Sequence, residues 1–402
     1  MAKKLLFVIN TMGRGGAEAA LLELLRVLSE RDLELNVRIM LSQGELAERL
    51  PEGVRLLNED YDPADVLSRE GKRRLTRHLL GLLPRRGALL RDLPYLLVNG
   101  LDMLRRGALQ PDKLLWRVVA DATPPDTEEY DLAVSYIEGA SAHYVANRVR
   151  AKRKAAFIHV DYRQAGYTRM LDGRIYEAFD RIFCVSEDVL ASFESLYPEH
   201  ARKLDLFYNL IDRERVLRLA GEPGGFDDGY EGVRILTVGR LVAQKALEIS
   251  VEAMRLLRDA GVKARWYVLG EGNARSFLEG RIAAAGLQDD FVLLGVRDNP
   301  YPFFRQADLY VHCSRFEGRS IALQEALMLG CPAIVSDRGG NRGQVTDGVD
   351  GLMVPLEPTA IAAAIRRLLD DPALRRSLGE RAAAKKDSGR DLEKLLALLE
   401  EE

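Results

Sequence analysis

The sequence predicts an α/β protein made of two doubly wound domains that face each other across a cleft. The chain has 402 residues, which exceeds one ordinary core and suits two domains of about 200 residues each. Short β-branched runs alternate with helical stretches, so that βα units repeat along the chain. The stretch 221–232 is rich in Gly and acidic residues, has no apolar periodicity, and separates two series of such units.

Twelve short apolar runs are the strand candidates, six in each half of the chain. Several are apolar on both faces, which predicts parallel strands that are covered by helices on both sides. The candidates are 4–10, 34–41, 54–58, 131–137, 154–160 and 181–186 in the first half, and 233–239, 265–270, 291–295, 308–314, 332–337 and 351–356 in the second.

The break between the two series sets the domain boundaries. We expect one Rossmann-like domain over 1–208 and a second over 209–385, with 221–232 as the linker or a loop close to it. Ligands of doubly wound sheets bind at the carboxyl ends of the strands. Functional residues are therefore sought where each strand candidate ends.

Composition excludes several classes of protein. With 47% hydrophobic and 30% charged residues the chain is not disordered, and a formal net charge of -3 gives no case for nucleic-acid binding. Cys184, Cys313 and Cys331 form no CxxC pair, so we expect buried, reduced thiols in a cytosolic protein. The N-terminal apolar run is typical of a first strand rather than a signal peptide, and no apolar stretch approaches the roughly 20 residues that span a bilayer.

The stretch 67–117 interrupts the first domain and is strongly basic. It contains twelve Lys and Arg residues against four Asp and Glu residues, with leucines between them. One interpretation is a helical excursion with a solvated basic face. The other is a surface for an anionic membrane or an anionic acceptor.

Glu317 and Glu325 stand in a strand–loop–helix segment, 308–337. The strand ends at Ser314, and a helix is expected from about Ser320 to Leu329. Eight residues of helix turn about 80° past whole turns, so the two carboxylates are suited to gripping separate parts of a ligand rather than to sharing a proton. The helix N-terminus between them favours an anionic or hydroxyl-rich ligand. The alternative for either Glu is a capping role.

Three further strand ends carry candidate ligand-binding residues. Arg240 and Lys245 follow the strand 233–239 at a helix start, which is typical of a phosphate site, although surface cations are usually only solvated. Gly15 and Gly16 form a weaker signal after the first strand, because the loop lacks the GxGxxG spacing and a P-loop lysine. His159 ends the strand 154–160, where a structural histidine is the alternative to a functional one.

These segments together resemble the retaining glycosyltransferases of family four, which have the GT-B fold and include the bacterial cell-surface glycan type. The resemblance covers most of the chain, and its most specific part is the E-x7-E motif that Glu317 and Glu325 match. The segments VGRLVAQK, YVLGEGN, ADLYVHCSRFEG, EALMLGCPAIVSD and DGVDGLMVP match further family segments in the same order.

The resemblance implies a role for each matching residue. Glu317 would contact the donor sugar near the reacting carbon, Glu325 would hold the ribose, and His159 would lie near the sugar. The implied catalytic residues are Glu317, His159, Arg240 and Lys245, and the implied donor-binding residues are Gly15, Gly16, Arg240, Lys245, Gly270, Gly318, Ser320, Ile321 and Glu325.

The resemblance also implies a reaction. A hexosyltransferase would move a hexose-type sugar, with retention, from a nucleoside-diphosphate sugar, UDP favoured, to a glycan or lipid-linked acceptor, without a metal or other cofactor. Domain 1–208 would be the acceptor side, 209–385 would bind the nucleotide sugar, and a helix in 386–402 would return to the first domain. Such an enzyme would be cytoplasmic and peripheral at the inner face of a membrane. Open alternatives are a GT-B nucleotide-sugar epimerase or phosphorylase, and an inactive partner or sugar-binding subunit.

Two positions depart from the family pattern. Ala246 stands where the family usually has Gly, and a helical Ala is expected to cause little loss. The segment GGNRGQV at 339–345 lacks the usual Glu, so no contact is expected from that residue; Gln344 or Arg342 would be the substitutes.

Overall fold

The computed structural model describes residues 2–66, 68–107, 109–385 and 391–400, without the side chain of Arg69. The chain divides into two compact units, one formed by Met1–Leu210 with Ser388–Glu402 and the other by Ile211–Asp387. The division between 210 and 211 lies two residues beyond the expected boundary. Of the expected C-terminal helix, 386–390 and 401–402 lie outside the described residues.

The first unit is built on a seven-stranded parallel sheet with the order β3-β2-β1-β4-β5-β6-β7. The order reverses between β1 and β4, which makes their carboxyl ends a topological switch point. The strands are β1 (Lys3–Ile9), β2 (Leu33–Ile39), β3 (Arg55–Leu56), β4 (Glu129–Ser135), β5 (Arg150–Ile158), β6 (Arg181–Cys184) and β7 (Leu204–Leu206).

Helices connect these strands and cover the sheet of the first unit. The run from Leu5 to Ile9 in β1 is fully buried, as expected for a strand with helices on both faces. The helices are α1 (Gly16–Ser29), α2 (Arg69–Leu82), α3 (Ala88–Arg91), α4 (Leu93–Arg105), α5 (Pro111–Ala122), α6 (Ala140–Arg148), α7 (Arg169–Asp172) and α8 (Glu187–Leu196), with short 3₁₀ turns at Glu45–Arg49, Arg85–Gly87, Ile175–Ala178 and Pro198–Lys203.

The second unit repeats the plan with a six-stranded parallel sheet in the order β10-β9-β8-β11-β12-β13. Its strands are β8 (Val233–Val238), β9 (Ala264–Leu269), β10 (Phe291–Gly295), β11 (Leu309–His312), β12 (Ala333–Ser336) and β13 (Leu352–Val354). Its helices are α9 (Arg213–Ala220), α10 (Leu247–Asp259), α11 (Arg275–Ala284), α12 (Tyr301–Gln306), α13 (Ile321–Met328), α14 (Gly339–Arg342), α15 (Pro358–Asp370) and α16 (Pro372–Ala383), with a 3₁₀ turn at Ala243–Lys245.

Strand alternation builds a separate core on each face of this second sheet. Ile235 and Leu236 are adjacent in β8 but belong to different buried clusters, because successive side chains of a strand point to opposite faces. The strand order reverses between β8 and β11, so this sheet also has a switch point. The α/β fold class predicted from the sequence is thereby confirmed in both units.

The final helix belongs to the first unit. Helix α17 (Asp391–Glu400) buries Leu392, Leu395 and Leu398. The carboxylate of Asp391 accepts the backbone N–H of Tyr208 at 3.2 Å, which holds the start of the helix beside the end of β7.

Each of the twelve strand candidates contains a strand, but β7 was not predicted. Its three residues, Leu-Asp-Leu, follow a run of polar side chains and are too short to show an apolar pattern. Of the two expectations for 221–232, the structure matches the second, because this stretch is a loop inside the second unit, close to the division between 210 and 211. The side chain of Gln306 holds this loop in place. It accepts the N–H of Phe226 and donates to the carbonyl of Gly224, both at 2.9 Å.

The basic stretch forms helices α2 to α5 between β3 and β4. Leu82 and Ala88 enter the buried core of the first unit, and Leu75, Leu79 and Leu96 pack against it. Among the described residues, no helix is both long enough and apolar enough to cross a bilayer. Cys184, Cys313 and Cys331 are buried free thiols.

Candidate functional site

The sequence-predicted residues of the second unit lie where β8 and β11 end, at the switch point of its sheet. These two strands are neighbours, paired through Leu309 with Ile235 and Tyr310 with Leu236. A loop follows each strand and leads into α10 or α13. Arg240 and Lys245 belong to the first loop, which spans 239–246, and Glu317 belongs to the second, which spans 313–320.

The two loops are fastened to each other. The N–H of Arg315 donates to the carbonyl of Gln244, and the amide of Gln244 donates to the carbonyl of Phe316, both at 2.8 Å. The Arg315 guanidinium also binds the carbonyl of Ala243 and the carboxylate of Glu248. Lys245 and Glu317 are therefore positioned by one connected piece of backbone.

Lys245 and Glu317 form an ion pair in this piece of backbone. The Glu317 side chain is 8% exposed and that of Lys245 is 14% exposed, so solvent screens the pair little. Burial by itself would raise the pKa of the Glu317 carboxyl, but the charge of Lys245 and a contact with His312 lower it to about 2. Glu317 is accordingly an ionised carboxylate at neutral pH.

His312 is a site residue that the sequence analysis missed. Its Nε2 lies 3.4 Å from the Glu317 carboxylate, and its Nδ1 lies 3.3 Å from the hydroxyl of Tyr310. Burial lowers the pKa of His312, and the neighbouring Lys245 lowers it further, so the ring is neutral at pH 7. The available signal was its position, since it is the last residue of β11, five positions before Glu317.

Arg240 differs from Lys245 in having no acidic partner. Its side chain is exposed, and it forms no ion pair with the described residues. A guanidinium in this state at a strand end is free to bind a diphosphate through two oxygens. Gly270 supports the same loop from β9: with φ at +147°, a Cβ there would lie 2.0 Å from the carbonyl oxygen of Gly239.

Ala246 is not helical, which corrects the sequence interpretation. It is the residue before α10 and is fully buried in the left-handed conformation, with φ at +48° and ψ at 33°. For a residue with a Cβ this conformation costs roughly 1–2 kcal/mol, which explains why Gly suits the position. No side chain caps α10, so its first N–H groups are left to other acceptors.

Glu325 lies in a different environment from Glu317. It stands just over one turn into α13, where one carboxylate oxygen accepts the hydroxyl of Tyr301 at 2.8 Å. Ser320 caps this helix by accepting the N–H of Leu323 at 3.3 Å, and Ile321 is its first residue. Because the carboxylates of Glu317 and Glu325 contact different residues, they are suited to binding separate parts of a ligand rather than to sharing a proton.

The loop after β12 supports the Glu317 loop from the other side. A Cβ on Gly340 would lie 2.0 Å from the carbonyl oxygen of Gly318, and the Gly340 N–H donates to the carbonyl of Glu317 at 3.3 Å. Gln344 is buried and donates to the carbonyl of Gly340 at 3.1 Å, whereas Arg342 is exposed and pairs with Asp337 at 2.6 Å. Of the two expected substitutes for the missing Glu, Gln344 is the one held inside the fold.

The first unit has a second polar cluster at its own switch point, around His159. Asn10 follows β1, Glu138 follows β4 and His159 follows β5, and these three strands are neighbours. The Asn10 amide donates to the carbonyl of Glu138 at 2.8 Å and accepts the N–H of Ser141 at 3.0 Å. The Glu138 carboxylate accepts the backbone N–H of His159 at 3.1 Å. We call Asn10, Glu138 and His159 the first-unit cluster.

Burial controls protonation in the first-unit cluster. It raises the pKa of Glu138 to about 7, and the N–H of His159 opposes the rise only in part. It lowers the pKa of His159 to about 4, so the imidazole is neutral, and its buried Nε2 has no hydrogen-bond partner among the described residues. An unpaired buried nitrogen calls for a ligand or a water. Asn10 and Glu138 were not predicted, because neither stands in a recognisable motif.

The Gly15–Gly16 loop is present, but its glycines have different surroundings. A Cβ on Gly15 would lie 2.3 Å from the carboxylate of Glu18, so the glycine makes room for that side chain at the N-terminus of α1. A Cβ on Gly16 would meet nothing within 4 Å. No group of three or more His, Cys, Asp or Glu side chains that could hold a metal ion exists in the described part of either unit.

Known proteins resemble this chain both in the sequence around the second-unit residues and in the fold. Residues 231–385, which contain Arg240, Lys245, Glu317 and Glu325, match the sequence model of the family described as glycosyl transferases group 1. The chain is 15% identical to Anabaena Alr3699/HepE, solved in complex with UDP and glucose, with a TM-score of 0.68 and complete coverage of both chains. A glycosyltransferase from Rickettsia africae is 14% identical, with a TM-score of 0.64 over 99% of this chain and 98% of its own. The chain thus has the two-unit α/β fold of GT-B glycosyltransferases.

Curated relatives match over shorter segments. The alpha-D-kanosaminyltransferase of Streptomyces kanamyceticus is 34% identical over 152 residues, which is 37% of this chain and 39% of the relative. A Campylobacter jejuni 4-alpha-N-acetylgalactosaminyltransferase, whose name specifies a diphospho-undecaprenol acceptor, is 29% identical over 198 residues, 49% of this chain and 51% of its own. The chain spans about half or less of the length of these relatives.

Proposed function

We propose that this protein is a retaining glycosyltransferase that moves a hexose-type sugar from a nucleoside-diphosphate sugar to a glycan or lipid-linked acceptor. The observation that carries the proposal is the buried Lys245–Glu317 pair at the β8–β11 switch point. It lies within the segment that matches the group 1 glycosyl transferases. UDP is favoured as the nucleotide, because the Anabaena structure with the same fold was solved with UDP.

Arg240 and Lys245 would stabilise the leaving nucleoside diphosphate. When the bond between the anomeric carbon and the phosphate oxygen breaks, negative charge grows on the diphosphate. Cations and helix N–H groups that are already in place lower the energy of that state. Lys245 has three N–H donors and uses one on Glu317, which leaves donors for a phosphate oxygen. The uncapped N-terminus of α10 adds further donors.

Glu317 and Glu325 would hold two ends of the donor. An ionised carboxylate only accepts hydrogen bonds, so Glu317 suits the hydroxyls of a sugar next to the reacting carbon. Glu325, which lies in α13, would accept hydrogen bonds from the ribose hydroxyls. The hydroxyl of Tyr301 would orient its carboxylate for this role. His312 lies 3.4 Å from the Glu317 carboxylate and, being neutral, adds no second cation beside it.

Retention would follow from attack on the face that the diphosphate leaves. The acceptor oxygen forms the new bond to the anomeric carbon, and its proton passes to the departing phosphate oxygen. No protein side chain is then required to accept the proton of the acceptor hydroxyl. This agrees with Glu317 already being engaged in an ion pair with Lys245. The first-unit cluster would bind hydroxyl groups of the acceptor, since the neutral His159 and the protonated form of Glu138 can exchange hydrogen bonds with hydroxyls.

A donor screen followed by product analysis tests the proposal. Thermal shift with UDP-, GDP- and ADP-sugars identifies a donor, and the anomeric configuration of the product is read by NMR. Stabilisation by a UDP-sugar and a product of unchanged anomeric configuration are expected. Turnover without acceptor, or an absolute need for inorganic phosphate, would replace transfer by epimerisation or phosphorolysis. A lipid-linked acceptor is supported by the named acceptor of the Campylobacter relative.

A further inference from the structure

Helix α4 exposes an apolar face to solvent. Of the thirteen large hydrophobic side chains that are exposed in the described part of the chain, nine lie between Leu80 and Leu109. The densest group is on α4 itself, and it includes Leu97, which is 57% exposed, and Leu104, which is 61% exposed. We call the leucine face the exposed side chains Leu93, Leu97, Val98, Leu101 and Leu104.

The leucine face is continuous because of its spacing along the helix. Leu93, Leu97, Leu101 and Leu104 follow one another at intervals of four, four and three residues, which places them along one side of a helix. The opposite side of α4 is turned inwards, with Asn99 and Met103 buried. A surface helix of a globular protein normally carries polar residues on its outer side, so α4 reverses the usual pattern.

The exposure is not a sign of poor packing. The same stretch buries Leu82 and Ala88 in the core of the first unit, and Leu96 packs against that core from α4. Tyr95 donates its hydroxyl to the carbonyl of Leu171 at 3.2 Å, which ties α4 to the following part of the unit. The inner apolar side is therefore satisfied, and the leucine face is a second apolar surface on a helix already anchored.

Cations that form no ion pair with the described residues precede and follow the leucine face along the chain. The acidic residues nearest to it are occupied, Asp92 by Arg117 at 3.2 Å and Asp102 by Arg106 at 3.0 Å. Six exposed cations of α2, α4 and the turn between α2 and α3 form no ion pair with the described residues: Lys72, Arg73, Arg77, Arg85, Arg86 and Arg105.

We propose that the leucine face docks on the surface of an anionic lipid bilayer. Its side chains would enter the boundary between headgroups and acyl chains, and the unpaired cations would contact lipid phosphates. An apolar face accompanied by Lys and Arg is the composition that binds such an interface. A second protein chain would need a partner surface of matching shape, whereas a bilayer accepts the whole mixture of leucines and cations.

The docking is interfacial rather than spanning. Helix α4 has 13 residues and is therefore about 20 Å long, which is shorter than the hydrocarbon core of a bilayer at roughly 30 Å. The inference does not rest on the transfer reaction, because binding to vesicles is measured without donor or acceptor. If the proposed function also holds, docking would bring the first unit to the surface where a lipid-linked acceptor resides.

Vesicle co-sedimentation of the full chain tests the docking. The probes are vesicles of phosphatidylcholine alone and of equal parts phosphatidylcholine and phosphatidylglycerol. Two exposed leucines are replaced in Leu97→Gln/Leu101→Gln, a change that keeps helix propensity nearly constant. Leu217→Gln/Phe277→Gln is the matched control, because these side chains of the second unit are also about half exposed, at 45% and 57%. Arg85→Gln/Arg105→Gln removes two of the unpaired cations.

We expect the wild type and the control to bind the anionic vesicles and to be released by high salt. The leucine variant should bind on the order of tenfold more weakly, and the arginine variant should lose its preference for anionic over neutral vesicles. Equal binding by all variants, or no binding by the wild type, overturns the proposal. A wild-type dimer in solution that Leu97→Gln/Leu101→Gln dissociates, without vesicle binding, would assign the face to a second copy instead. Unchanged thermal unfolding of the variants shows that they are folded.

Discussion

Glu317 of the second unit and Glu138 of the first are both buried, but their surroundings act on the carboxyl group in opposite ways. In the second unit, Glu317 is paired with Lys245 and its pKa lies at about 2, although burial opposes ionisation. In the first unit, burial raises the pKa of both Glu138 and Asp172 to about 7, and the hydrogen-bond donors around them are neutral. Asp172, for example, accepts the hydroxyls of Tyr162 and Tyr197. The carboxyl end of the sheet thus carries an ion pair at Glu317 in the second unit and, at Glu138 in the first, a carboxyl group close to its titration point.

This difference teaches which ligand suits which unit. Lys245, an Arg240 that forms no ion pair with the described residues, and an uncapped helix N-terminus together favour an anion. A cluster of neutral imidazole, amide and a carboxyl near its titration point is built for groups that both donate and accept hydrogen bonds, such as sugar hydroxyls. The substitutions below test the contrast, in order of decreasing expected effect.

Lys245→Ala should have the largest effect. It removes the proposed hydrogen-bond donor to the diphosphate, which is expected to lower kcat/KM about a thousandfold. It also leaves Glu317 buried without its cation, which should cost roughly 3 kcal/mol of unfolding free energy. Steady-state assays and denaturant unfolding measure the two losses, with the exposed Lys263→Ala as control.

Adding Glu317→Gln to Lys245→Ala separates the two losses. The second substitution should recover part of the stability, because a neutral amide replaces the unpaired carboxylate, while kcat/KM should stay at least as low as in Lys245→Ala. Recovery of transfer in the double variant would contradict the diphosphate role of Lys245.

Arg240→Ala should reduce transfer without a change in stability. Since this side chain is exposed and makes no ion pair with the described residues, its loss should alter the unfolding free energy by less than about 0.5 kcal/mol. Loss of its grip on the diphosphate should lower kcat/KM about a hundredfold. Arg366→Ala, an exposed arginine on α15, is the control. Full activity of the Arg240 variant would remove this residue from the site.

The pH dependence of stability should differ between the units. A raised carboxyl pKa means that the folded state binds more protons than the unfolded state between the ordinary pKa, which is 4.5 for Glu138 and 3.8 for Asp172, and the raised pKa of about 7. Glu138 and Asp172 should therefore each remove up to about 1.4 kcal/mol of stability per pH unit as pH rises through this range. Glu317 acts in the other direction, and its contribution is lost only as pH falls below about 4.5 towards 2.

Tryptophan fluorescence can follow the first unit alone. The chain has two Trp residues, Trp116 in the first unit and Trp266 in the second, so Trp266→Phe leaves one reporter. In that background, Glu138→Gln should flatten the fall in stability between pH 5 and pH 7, because one titrating carboxyl is removed. An unchanged slope would show that Glu138 does not hold its proton.

Ala246→Gly should have the smallest effect, and it should stabilise. Gly adopts the left-handed conformation of this position without strain, which returns roughly 1 kcal/mol and is partly offset by the greater freedom of Gly in the unfolded chain. Ala260→Gly, at the other end of α10 with φ at -85°, lacks that relief and should destabilise. A loss of stability in both variants would contradict the strain assigned to Ala246.

Sequence reasoning located the loops of the second unit because each carries its own local pattern. Glu317 follows an apolar strand, and Arg240 and Lys245 precede a helix, so neighbouring residues alone identify them. The pairing of Lys245 with Glu317 was not predictable, because it depends on β8 and β11 being neighbours although they are separated by two other strands along the chain. Tyr301 was missed because its contact with Glu325 joins two different helices, and His312 was missed although its position at the end of β11 was an available signal.

The first unit was less predictable than the second. Glu138 and Asn10 belong to no motif, and their roles arise only when β1, β4 and β5 lie side by side. Ala246 shows a different limit, since its residue type predicts a helix while the loop imposes a left-handed backbone. Local preference gave way there to the geometry of the turn between Lys245 and α10.

Gly340 has a consequence for anyone who wishes to change the specificity of this protein. A side chain at this position would collide with the backbone of Gly318, 2.0 Å from its carbonyl oxygen. A randomised library across 338–344 would therefore be dominated by misfolded members unless Gly340 were held constant. Arg338 and Arg342, which are exposed on either side of it, are the positions where diversity would be tolerated.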